Sequence, residues 1–273
     1  MKKTFILMIM ILALSVFLGS AVTIAGDYRA VVPGSGINGT AHDLRYNQAG
    51  SGYNANDVDN KYGAAGGAGD LNRICVWCHA PHHALKPADF AGDIDYLPLW
   101  NHTTTTMVYQ PYTNGADEPA DPSHLAQSEV LANQPGGVSK LCLSCHDGSV
   151  AVNEYGFACG DLRSSGVRKG DTPAFIQCQY KIGEGGDLTN HHPIGFTYQD
   201  VSTVDDEIAS AAAVIGNYQI GDLLWAGKME CTTCHDVHNT KNQGEKFLWI
   251  SDHDSNLCLT CHLKGTKTAP VGP

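Results

Sequence analysis

Residues 75–79 read Cys-Val-Trp-Cys-His, and the chain runs straight on through Ala80, Pro81, His82 and His83. The same spacing returns at Cys142-Leu-Ser-Cys145-His146, Cys231-Thr-Thr-Cys234-His235 and Cys258-Leu-Thr-Cys261-His262. C-X-X-C followed at once by His is the attachment signature of c-type haem. Two thiols three positions apart can grip one porphyrin edge through thioether bonds, and the next residue then lies beneath the metal. The four repeats therefore call for four covalently bound c-type haems. Cys75, Cys78, Cys142, Cys145, Cys231, Cys234, Cys258 and Cys261 supply the thioethers, and His79, His146, His235 and His262 the proximal iron ligands.

Two other chemistries use the same cysteines. Cys231, Cys234, Cys258 and Cys261 have the spacing of a zinc ribbon. A thioredoxin-like redox pair would need a βαβ context, and the sequence has none. Neither explains a histidine directly after every pair.

Around these motifs the chain is acidic, with 28 Asp and Glu against 17 Lys and Arg and no dense basic run. That balance argues against a nucleic-acid partner. At the N-terminus Lys2 and Lys3 precede an apolar run from Phe5 to Leu18, then small residues. This is the layout of a signal peptide over 1–25, cleaved before Gly26. The apolar run is short for a membrane span, and no second one follows. The expectation is an exported protein whose residues 26–273 form one tetrahaem domain.

Glycine is abundant (30 residues), and Gly, Asn, Asp and Thr favour turns over long elements. The expected fold is a multihaem cytochrome c, mostly irregular, with short α-helices and little β. Loops of that extent need an organising group, so the core is expected to be built around four stacked haems, whose burial replaces side-chain hydrophobicity. Helices are expected over 202–216 and 121–133, and a short edge strand over 103–109.

Each iron has a second axial position. Met107 and Met229 alone remain past the signal segment, too few for four haems, whereas histidines are in surplus. Bis-histidine iron is closed to substrate and suited to passing electrons. His82 follows His79 by three, and His238 follows His235 by three. In a helical turn such pairs share one side, so the second imidazole cannot reach the far face of the same porphyrin. It can strap the next haem. His192 is a further distal candidate, stiffened by Pro193. His42 stands alone in a polar arm, and His102 is a possible alternative ligand. His83, His124, His191 and His253 read as surface residues. The leftover cysteines, Cys159 and Cys178, suit a disulfide in an exported chain. It would close a loop of roughly 20 residues, worth about 3 kcal/mol on the chain-entropy model.

The ordered set AHDL, ICVWCHAPHH, PLWNH, LCLSCHDGSVA, NHHPIGF, CTTCHDVHN and LCLTCH resembles the exported multihaem c-type cytochromes with doubled C-X-X-C-H motifs. It is most similar to the tetrahaem cytochromes that polymerise into extracellular filaments in metal-reducing bacteria. The resemblance implies a row of bis-histidine haems and electron transfer to extracellular acceptors or partner cytochromes. It implies head-to-tail self-assembly, with His42 reaching the haem of a neighbouring subunit. His82, His192 and His238 would be the other distal ligands. The competing expectations are a soluble periplasmic tetrahaem electron shuttle and a multihaem reductase. A reductase needs an open iron, often marked by a lysine-bearing motif. All four motifs here end in histidine, so the protein is expected not to be an enzyme.

Overall fold

In the computed structural model the described residues are 32–38, 40–44, 74–82, 84–87, 97–112, 134–152, 154–155, 175–176 and 180–264. The signal segment, the 121–133 helix, Cys159, Cys178, His83 and His124 lie outside them. Helix α1, Gly137–His146, carries the second pentapeptide on its last turn. Leu141 points to Leu97 and Trp100, while Leu143 packs with Tyr109 and Leu188. The helix stops where Asp147 N–H returns to the Leu143 carbonyl. Gly148 follows with φ +74, and a Cβ there would meet the Lys181 side chain at 2.8 Å. Glycine takes this left-handed turn without strain.

Among the described residues four shorter α-helices follow: α2 (Tyr198–Ser202), α3 (Ile220–Leu223), α4 (Cys231–Cys234) and α5 (Cys258–Cys261). The last two are the third and fourth pentapeptides themselves, and Cys75–Trp77 of the first forms a 3₁₀ turn. The only sheet among the described residues is a hairpin, β1 (Val214–Ile215) against β2 (Tyr218–Gln219), with Ile215 opposite Tyr218.

The fold is thus mostly loop with short helices and little sheet. Its apolar side chains form several separate clusters. Tyr198, Ala209, Ile215, Ile220 and Leu223 make one, Phe196, Val201 and Met229 another, and Trp77 with Tyr155 a third.

Two local expectations are corrected. Residues 202–216 do not form a helix; α2 ends at Ser202. Asp205 bends the chain by accepting Glu207 N–H on its side chain and Ile208 N–H on its carbonyl. Ala209 N–H then donates to the Cys261 carbonyl, and Leu263 N–H to the Glu207 carbonyl. Side-chain and long-range partners thereby outcompete helical ones. Residues 103–109 do not make a strand either. They run extended between single bridges at each end, His102 with Tyr155 and Gln110 with Asp187.

Candidate haem-binding site

The first pentapeptide is shaped by the Leu97–Asn101 segment. Asn101 Nδ2 donates to the Val76 carbonyl at 2.7 Å, and Asn101 N–H donates to the Cys78 carbonyl. Leu99 sits at φ +53, an unfavourable conformation for a leucine. That kink brings the Pro98 carbonyl to 2.5 Å from His79 Nδ1.

The same device recurs. His146 Nδ1 faces the Tyr180 carbonyl at 3.1 Å, and His235 Nδ1 faces the Lys246 carbonyl at 2.9 Å. Lys246 and Phe247 both have positive φ, +57 and +62. A ring whose Nδ1–H is donated to a carbonyl leaves the Nε2 lone pair free for a metal. Burial lowers the pKa of His146 and pushes that of His42 down to about 3, with the nearby His146, His235 and His238 adding to the effect on His42. Both imidazoles are therefore neutral at physiological pH, as metal ligands must be.

Three of the four proximal rings face a second histidine. The centroid separations are 6.1 Å for His146 and His42, 6.2 Å for His79 and His238, and 6.2 Å for His262 and His192. Two imidazoles on opposite sides of one metal, with bonds of about 2.0–2.1 Å and about 1.1 Å from nitrogen to ring centre, place their centroids about 6.3 Å apart. The three separations match that spacing. Among the described residues no histidine ring faces His235 in this way. His82 is exposed and stands opposite none of the proximal rings.

His238 thus leaves its own motif and stands across from the first one, and His42 lies beside His146 of its own chain. His192 takes its orientation from the Pro193 carbonyl, 3.0 Å from Nδ1. His102 is 1% exposed, and backbone occupies both its nitrogens. Nδ1 lies 2.7 Å from the Thr103 carbonyl, and Nε2 lies 3.1 and 3.2 Å from those of Ala151 and Val152. It supports the loop beside Cys145 rather than facing a proximal ring. His191 is half-buried and His253 exposed.

The cysteines of successive motifs approach one another. Cys78 lies near Cys145, and Cys234 near Cys261. The Cys142 thiol is in contact with Cys231, which raises its pKa and lowers that of Cys231. Here α4 docks on α1, with Cys231 N–H donating to Ser139 Oγ at 2.8 Å. None of the eight is in a disulfide. Among the described residues no group of three or more His, Cys, Asp or Glu is arranged to hold a metal ion by itself. Four thiolates converging on one ion, which a zinc ribbon needs, are not what Cys231, Cys234, Cys258 and Cys261 provide.

The orienting carbonyls of Pro98, Tyr180, Lys246 and Pro193 escaped sequence reasoning, because a carbonyl has no residue signature. The only hint was PLWN, which proves to be the kinked segment.

The family described as Doubled CXXCH motif (Paired_CXXCH_1) matches residues 225–267, the stretch holding the third and fourth pentapeptides. No curated protein matches the chain. The doubled motif supports a multihaem c-type cytochrome with covalently bound haem and a role in electron transfer. Such cytochromes are typically exported, and no helix among the described residues is long and apolar enough to cross a membrane.

Proposed function

We propose that this chain is an exported tetrahaem cytochrome that relays electrons and performs no catalysis of its own. The observation carrying this reading is the facing of His79, His146 and His262 by second imidazoles at 6.1–6.2 Å. Bound haem supplies a one-electron iron couple, and two imidazoles per iron leave no position for substrate. The approach of Cys78 to Cys145, Cys142 to Cys231 and Cys234 to Cys261 supports a row in which each cofactor neighbours the next. Carbon monoxide should leave at least three quarters of the reduced haem untouched. Stoichiometric binding at every haem would overturn the relay reading in favour of a reductase.

We also propose head-to-tail assembly into an extracellular filament. The exposed His82 supports it, together with a proximal His235 faced by no described histidine of its own chain. One copy's His82 would complete the site of the next. The placement of His42 against its own His146 favours a second reading, a soluble periplasmic shuttle. Negative-stain microscopy and gel filtration of the secreted, haem-loaded protein separate the two: filaments support the first, monomers alone the second.

A further inference from the structure

His42 stands in a short arm that contributes little apolar surface of its own, yet its ring is held against Phe247 at 4.7 Å and opposite His146 at 6.1 Å. Something must hold the arm, and Asn239 does so. It is wholly buried, and its side chain is saturated by the arm. The two N–H groups of Nδ2 are shared among the Val32 carbonyl at 2.8 Å, the Gly36 carbonyl at 3.1 Å and Ser35 Oγ at 3.2 Å. Oδ1 accepts Gly34 N–H at 3.1 Å, and the Asn239 carbonyl accepts Gly36 N–H at 2.9 Å. Residues 32–36 are thus folded around one amide. The turn that follows, Thr40 N–H to the Ile37 carbonyl and His42 N–H to Thr40 Oγ1, hands the arm's orientation to His42.

Asn239 lies one residue beyond His238, and Asp236 fixes both. Asp236 Oδ1 accepts His238 N–H at 2.9 Å, and its carbonyl accepts Asn239 N–H. Asn239 itself is at φ +52, a conformation asparagine tolerates better than most residues. Asp236 to Asn239 therefore sets one distal imidazole directly, His238 across from His79, and a second remotely, His42 across from His146.

We propose that Asn239 is the positioning residue for His42, acting through the arm to place the distal imidazole of the second haem site. The inference rests on the bis-histidine reading above. The motif Cys-Thr-Thr-Cys-His-Asp-Val-His-Asn then orders ligands for three sites: His235 for its own, His238 for the first and Asn239, through His42, for the second.

The test uses the full-length, haem-loaded protein. Asn239→Gly removes the amide while suiting the positive φ, so backbone strain is not introduced. The variant should convert one haem per chain to the high-spin, carbon-monoxide-binding form. Added free imidazole should restore the low-spin spectrum, and a circular dichroism spectrum unchanged from the parent separates a vacated iron from a general loss of structure. His42→Ala should give the same change, and the double variant no more than either alone. If Asn239→Gly fails to mature, Asn239→Asp keeps the Gly34 contact but loses both amide donors, and the same spectrum is expected. An Asn239 variant that keeps the parent's low-spin content while His42→Ala loses one low-spin haem would overturn the positioning role. A low-spin His42→Ala would instead remove the His42–His146 pairing itself, and the proposal with it.

Discussion

Asp147, the residue directly after the second pentapeptide, is 2% exposed and receives three donors. Thr105 Oγ1 and Tyr109 OH both donate to Oδ2 at 2.6 Å, and Ser149 N–H donates to Oδ1 at 2.7 Å. Burial and the bond to Asp147 both raise the Tyr109 pKa, so the phenol stays protonated as a donor. Hydrogen bonds to a charged group contribute about 1.5–3 kcal/mol each, but they share one carboxylate and are not additive. Asp147→Ala strands two hydroxyls and one amide and is expected to cost about 3–5 kcal/mol. Asp147→Asn keeps an acceptor for Ser149 N–H and lets the hydroxyls reorient, for about 1–2 kcal/mol. Denaturant titration of the haem-loaded protein at pH 7, followed by circular dichroism, reads both values. An alanine variant within about 1 kcal/mol of the parent would refute the idea that this carboxylate ties the 103–109 segment to α1.

Burial pushes the Glu230 carboxyl up to about 7 from its ordinary 4.5, although Ser139 and Lys228 pull it down. The folded chain then binds the extra proton between those values, so stability should fall by about 3 kcal/mol as pH rises from about 4.5 to about 7. Glu230→Gln should flatten that slope in pH-resolved denaturation. His102→Phe should destabilise by about 2 kcal/mol through orphaned carbonyls, yet leave the parent's low-spin haem content unchanged; a new high-spin haem would make His102 a ligand after all. His238→Ala should open one iron to carbon monoxide, read by spectral titration. His82→Ala should keep the haem content and yield only monomers by negative-stain microscopy; undiminished filaments would rule out His82 as the bridge.

The chemistry was legible wherever it was written in side chains at fixed spacing. The doubled motif announces haem, but the offset of three does not fix a partner: His238 lies beside His79 of another motif, whereas His82, at the same offset from His79, is exposed. The stretch 202–216 misled because its helical signals are real but local. Asp205 captures amides nearby, and the Cys261 carbonyl captures Ala209 from far along the chain. No periodicity encodes that distant partner. His42 poses the opposite case, because nothing local to it reveals that Asn239 binds the arm at Val32, 207 positions away.

That separation has a bearing on how the protein matures. Bringing together segments 205 residues apart costs about 5 kcal/mol in loop closure before any contact is made. The arm is the earliest described part of the chain to be synthesised, and its dock is among the last. His42 therefore takes its place beside His146 only once the C-terminal third has folded.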